Sequence, residues 1–181
     1  TSLVEIIGAI KKLRPGLAVV VLENTQAVTA YALKPVSQQL LDCGADYLLT
    51  GEGEQRSVDL VNLVQQGWRE KLREMDGLIG PDFSNPPAIK IKDLDSLPYP
   101  AWDLFPIENY QRLRFAHGPL TSDRYLPLLT SRGCPYPCKF CVVPATNDRQ
   151  WRSRSAKNVV DEIEYMKQTY NVREFHLEDL N

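Results

Sequence analysis

Gly133-Cys134-Pro135-Tyr136-Pro137-Cys138-Lys139-Phe140-Cys141, residues 133–141, follows closely on Tyr125-Leu126-Pro127-Leu128-Leu129-Thr130, a short apolar run that reads as a strand. Pro127 cannot donate to a ladder, so one hydrogen bond of that strand is predicted to be missing. Beyond the cysteines, Ser155 suits a helix N-cap, and Val159, Ile163, Met166 and Tyr170 recur on one helical face. Asp161 and Glu162 fall in the early turns, where the helix dipole favours anions. Val172 to Leu177 then reads as a second strand. Strand, cysteine loop, helix, strand is the opening of a β/α barrel, a fold whose chemistry gathers at the carboxyl ends of its strands.

Working outward, residues 1–67 alternate helices with short apolar strands. Leu3, Ile6, Ile7, Ile10 and Leu13 repeat at helical spacing until Arg14-Pro15-Gly16 stops them, and Leu17 to Leu22 reads as a buried strand. Pro35 suits a helix start, Val36, Leu40 and Leu41 give the apolar face, and Gly44 ends it before the strand Tyr47-Leu48-Leu49-Thr50. A third helix runs to about Gly67. The alternation predicts an α/β fold with a Rossmann-like parallel sheet and right-handed crossovers. Two strands do not make such a sheet stable, so the chain is expected to be a piece that starts within a domain. From 68 to 124 prolines punctuate the sequence, including Pro81, Pro86, Pro87, Pro98, Pro100, Pro106 and Pro119. This connecting region is expected to be packed, because Trp102, Leu104, Phe105, Ile107 and Tyr110 supply apolar surface that a free linker lacks. Residues 125–181 are the expected start of the barrel.

Bulk properties exclude several classes. The 181 residues are 43% apolar, which argues against disorder, and 21 basic against 23 acidic side chains leave a net charge of −2. That balance gives no reason to expect tight non-specific binding to nucleic acid or to an anionic membrane. No apolar run is long enough to span a bilayer. Four cysteines are too few for a disulfide scaffold, and three of them crowd into residues 134–141, which suits a metal and a reducing, cytoplasmic compartment. Cys43 closes an apolar helix and is expected to serve packing alone.

The C-x-x-x-C-x-x-C spacing supplies three thiolates from one loop. A cubane cluster of about four irons is normally saturated by four cysteines, so Cys134, Cys138 and Cys141 would leave one iron open for another ligand. A structural zinc site would require a fourth ligand, and His117 and His176 lie well outside the loop. Arg132, Lys139, Arg149, Arg152 and Arg154 make the surroundings basic, either as an anion site or as a solvated turn.

In spacing, in Phe140 just before the third cysteine and in the strand ahead, the segment resembles the radical S-adenosylmethionine (SAM) superfamily. The resemblance implies reductive cleavage of SAM at a 4Fe-4S cluster to methionine and a 5′-deoxyadenosyl radical. By the same resemblance Tyr136 and Phe140 help hold SAM, Arg152 or Arg154 approaches its carboxylate, and Glu178 or Asp179 meets its amino group. An electron donor such as flavodoxin or ferredoxin and a small-molecule substrate are implied as partners.

Thr50-Gly51-Glu52-Gly53-Glu54, joined with Leu94-Asp95-Ser96-Leu97-Pro98-Tyr99-Pro100-Ala101-Trp102-Asp103, resembles radical SAM proteins that carry an N-terminal cobalamin-binding domain. That resemblance spans essentially the whole chain and implies a methyltransferase or a ring-forming enzyme, with Gly51, Glu52 and Gly53 in the cobalamin domain. The family usually has paired glycines after the strand at Leu17 to Leu22, where this chain has Leu22-Glu23-Asn24, whose side chains stand in the cofactor's way. Two other classes stay open: a non-catalytic cobalamin-binding or interaction module whose metal site is structural, and a methylthiotransferase acting on RNA or protein. The latter usually has three more cysteines in its front domain, where this chain has only Cys43.

Overall fold

Ser2 opens the first helix with a reciprocal cap, its hydroxyl accepting from the Glu5 N–H while the Glu5 carboxylate accepts from the Ser2 N–H. A computed structural model describes residues 2–25, 32–114, 116 and 118–180. In chain order the elements are α1 (Leu3–Leu13), β1 (Val20–Leu22), α2 (Ser37–Asp42), β2 (Tyr47–Leu49), α3 (Glu54–Gln65), α4 (Arg69–Leu72), β3 (Leu78–Gly80) and β4 (Phe83–Ser84). They continue with α5 (Ile107–Leu113), β5 (Tyr125–Leu128), β6 (Ser131–Arg132), α6 (Val143–Asn147), β7 (Arg152–Ser153), α7 (Ala156–Tyr170) and β8 (Glu174–Leu177). The chain divides into two compact units, Thr1–Ile91 with Tyr136–Arg149, and Lys92–Pro135 with Gln150–Asn181.

Among the described residues of the first unit, four strands pair in the order β1-β2-β3-β4. β1 and β2 are parallel, with Val21 opposite Leu48. β2 and β3 are antiparallel, as are β3 and β4. The parallel pair is the crossover expected of alternating helix and strand; the antiparallel extension lies in the proline-punctuated stretch that was expected to connect rather than to pair. Leu78-Ile79-Gly80 is buried throughout and is admitted beside β2 by Gly77, where an added Cβ would stand 2.8 Å from the Thr50 carbonyl oxygen. Residues 68–91 therefore belong with the front sheet, and the divisions at 67 and 124 differ from the compact units. Two apolar clusters fill this unit, one around Ile7, Val21, Leu40 and Leu48, with Cys43 packed against it, and one around Leu49, Leu60, Leu72 and Leu78.

In the second unit, β5 and β8 are parallel, with Leu126 opposite Phe175 and Pro127 opposite His176. Helix α7 connects them and starts at Ser155, whose hydroxyl accepts from the Asn158 N–H. Met166 from α7 and Val172 pack on Leu126 and Leu128 to form the core, with Trp102 and Ile107 of the connecting segment against it. Leu104, Phe105 and Tyr110 remain exposed in this unit. No described helix is long and apolar enough to cross a membrane.

Candidate metal and cofactor site

The carboxylate of Asp179, just past the end of β8, grips the backbone that leaves β5. It accepts from Thr130 N–H (3.1 Å) and Thr130 Oγ1 (3.1 Å), and from both the N–H and Oγ of Ser131 at 2.5 Å. Next comes a short antiparallel ladder, β6 against β7, with Arg132 opposite Arg152, and the Arg154 N–H donates to Thr130 O at 2.9 Å. Gly133 takes a left-handed turn at φ +82°, and Cys134 follows. The neck of the cysteine loop is thus built before the first thiol.

Cys134 and Cys141 are half-buried, Cys138 is exposed, and none is in a disulfide. Residues Cys134 to Phe140 lie outside helix and strand, and a turn bond from the Cys141 N–H to Cys138 O (3.1 Å) is followed by α6. Among the described residues no three His, Cys, Asp or Glu side chains are gathered in a metal-holding arrangement. In kind and number the donors fit an iron-sulfur cluster: three unbridged thiols, each with access to solvent, on a loop that two prolines deprive of backbone donors. Phe140 is 94% exposed and Tyr136 62%, so both rings are free to cover a ligand. His117 lies outside the described residues, and His176 is engaged 3.0 Å from Glu174 on β8.

Arg154 is committed elsewhere than to a ligand. Its Nη1 lies 2.5 Å from Glu162 Oε2, at an angle outside hydrogen-bond geometry, and donates to Leu129 O at 2.8 Å, while Nε donates to Asn158 Oδ1. Glu162 is 2% exposed; it sits past the first turn of α7 and serves the guanidinium rather than the helix dipole. Arg152 is half-buried on β7. Glu178 is half-buried too, and it shares with Leu97, Trp102, Leu128, Arg154 and Glu162 the wall of a cavity of about 210 Å³ in the second unit.

In the first unit the ends of β1 and β2 meet at a polar cavity of about 190 Å³, lined among others by Glu23, Lys34, Gly51, Lys90, Thr146 and Asp148. This is the carboxyl edge of parallel strands, where open α/β sheets bind ligands. Gly51 reaches that cavity, at φ +74°. Its N–H donates to Glu23 Oε2 at 2.5 Å, and Leu33 N–H donates to Oε1 of the same carboxylate at 2.8 Å. Glu52 is buried and accepts from the Ile91 N–H, and Gly53 packs against Leu22. Arg56 locks the turn by donating to the carbonyls of Thr50 (2.7 Å) and Asp76 (2.7 Å), and burial holds its guanidinium below its ordinary pKa against the pull of nearby carboxylates. Two backbone donors thus lie at the carboxyl edge of the sheet, where an internal carboxylate occupies them.

Lys90 and Asn147 escaped the sequence reading as members of these sites, since each is tied through backbone groups that leave no spacing signature; Glu23 was marked as an obstacle to a cofactor, and its carboxylate does fill the donors at that edge.

No family model matches the chain. Over 141 residues it is 28% identical to an uncharacterised methyltransferase of Pyrococcus horikoshii, covering 74% of this chain and 28% of the relative. Over 139 residues it is 34% identical to the anaerobic magnesium-protoporphyrin IX monomethyl ester cyclase of Cereibacter sphaeroides, covering 74% and 21%. The structure of the radical SAM methyltransferase TsrM from Kitasatospora setae, with tryptophan substrate and a SAM analogue bound, superposes with a TM-score of 0.67 at 22% identity, over 98% of this chain and 32% of that one. In sequence the chain is similar to these methyltransferase and cyclase relatives, and in fold to TsrM. A second TsrM structure, with cobalamin and a [4Fe-4S] cluster bound, matches with a TM-score of 0.61 over 98% of this chain and 33% of that one. The chain thus shares the TsrM fold over nearly all of its length, and it spans about a fifth to a third of the length of these proteins.

Proposed function

We propose that the protein to which this chain belongs is a radical SAM enzyme that holds a 4Fe-4S cluster on Cys134, Cys138 and Cys141 and carries out methyl transfer or ring closure on a small molecule. The observation that carries the reading is the set of three unbridged thiols on the loop after β5 and β6, beside a phenylalanine ring left almost wholly in solvent. Cys134, Cys138 and Cys141 would hold the cluster, and three protein donors would leave room for SAM to bind to it. When bound, the reduced cluster supplies one electron to the carbon-sulfur bond of the sulfonium. The protein's part is to orient. Phe140 and Tyr136 cover the adenine and exclude water, Arg152 offsets the carboxylate, and Glu178 accepts from the amino group. Asp179 and Arg154 act at one remove, holding the strand ends beside Arg152 and Glu178. The relatives' activities as methyltransferases and a cyclase support this class of reaction. An electron donor such as flavodoxin or ferredoxin and a cytoplasmic site of action complete the proposal.

Anaerobic reconstitution with iron and sulfide should load about four irons per chain, and the reduced-cluster spectrum should change on adding SAM. Serine at any one of the three cysteines should abolish loading. Zinc uptake in place of iron, or a spectrum indifferent to SAM, overturns the reading.

Cobalamin in the first unit is the second component of the proposal, favoured by the polar cavity at the carboxyl edge of β1 and β2. The Gly51 and Leu33 N–H groups are the donors it would use, once Glu23 withdraws from them.

A further inference from the structure

Helix α6 begins two residues after Cys141 and has only five residues, too few to hold its shape alone. What fixes it is a set of ties inside the first unit. Asn147 is 0% exposed, and its Nδ2 donates to Thr25 O at 2.6 Å, across 122 positions of sequence, and to Thr146 Oγ1 at 3.0 Å. The Lys90 side chain, 12% exposed, donates from Nζ to Thr146 O at 2.7 Å, and the same ammonium lies 3.4 Å from Asp148 Oδ2. An ammonium on the last carbonyls of a helix is favourable placement, and Asp148 ends the helix in the left-handed region at φ 50°. Asn147 Oδ1 is buried with no donor among the described residues. An amide that leaves its oxygen unpaired in a core calls for an explanation beyond packing, and here its nitrogen bolts the trailing end of the cysteine loop to the segment that follows β1.

We propose that Lys90 and Asn147 are positioning residues that fasten Cys138 and Cys141 to the first unit and so set how slowly the loop gives up its metal. The proposal rests on the cluster reading above. A loop that must order itself to chelate loses conformational entropy, whereas one already anchored at α6 has lost it during folding. The first unit then serves the cluster directly, apart from any ligand it binds itself.

Lys90→Met keeps the side-chain stem and removes the donor, Asn147→Asp keeps the shape and replaces the donor with an acceptor, and Lys90→Arg restores a donor. In the metal-free chain, hydrogen exchange across residues 136–149 should quicken about fivefold in the first two variants, the size expected for one lost hydrogen bond, while β1 and β2 exchange as in the wild type. After reconstitution, the same two variants should lose iron to a chelator about fivefold faster, with Lys90→Arg close to the wild type. A lowered unfolding temperature with unchanged loop exchange and unchanged iron loss would show the ties to be merely structural and overturn the proposal, as would no effect at all. A wild-type chain that takes up no iron sinks the cluster reading, and the exchange measurement alone then decides whether the loop is anchored. Lys90 retains some solvent access, so its methionine variant keeps the test open should the wholly buried Asn147 tolerate no change.

Discussion

Replacing Asp179 by alanine removes one carboxylate from two backbone N–H groups and two hydroxyls, those of Thr130 and Ser131, and leaves the exit from β5 without its acceptor. The expected cost is about 1.5–3 kcal/mol, the range for hydrogen bonds to a charged group, read as a fall in denaturant midpoint, with a smaller loss for Asp179→Asn. A residue that only contacted SAM would leave the midpoint of the cofactor-free chain unchanged. Glu23 poses the opposite problem, because its carboxylate fills the donors that the proposed cobalamin would use. Glu23→Ala should raise the affinity for hydroxocobalamin about tenfold in a visible titration, since the ligand no longer displaces an internal acceptor whose bonds are worth about 1–2 kcal/mol. Equal or weaker binding by the variant would show that Glu23 supports the site and does not compete for it. Both residues stand in stretches that the sequence marks as interesting, yet their partners are backbone groups, which carry no residue identity to read.

At the scale of elements, α7 was legible down to its cap. Ser155 and the apolar stripe through Val159, Ile163 and Met166 are local signals, and the helix spans Ala156–Tyr170. Its energetic centre was not legible, because Glu162 looked like an acidic residue answering a dipole and proves to be the buried partner of Arg154. Glu162→Ala should cost about 3–5 kcal/mol, as it strands a guanidinium that is only 13% exposed, whereas exchanging both partners for leucine and methionine should be close to neutral. Thermal unfolding of the single and double variants separates the two outcomes, and a mild single variant would mean that Leu129 O and Asn158 suffice for Arg154. Strands β3 and β4 were missed for a different reason. They have three and two residues, sit among prolines and glycines, and owe their pairing to Gly77 beside Thr50 rather than to any alternation of their own.

Across the whole molecule, the order of helix, strand and cysteine loop followed from periodicity, but the assignment of Tyr136–Arg149 to the first unit did not, since it depends on ties such as Asn147 to Thr25 over 122 positions. The two units should also answer acid differently. Among the described residues, the carboxylates held below their ordinary pKa are Glu174 and Asp95, both in the second unit. For Glu174 partial burial pushes upward, and is outweighed by the His176 ring and by donors from Ser122 and Thr121 ahead of β5; for Asp95 the bonds from Ser155 at the start of α7 dominate. Because both folded-state values lie below the unfolded ones, the stability they contribute is fully present above about pH 4.5 and is lost as pH falls through the depressed values. Protection of β5 and β8 from hydrogen exchange should therefore fall away on acidification before that of β1 and β2. Glu174→Gln should flatten the acid limb for the second unit alone; if both units lose protection together in the wild type, or the variant keeps the full slope, then Glu174 does not govern the acid response and the clamp at the start of β8 contributes no more than its neutral hydrogen bonds.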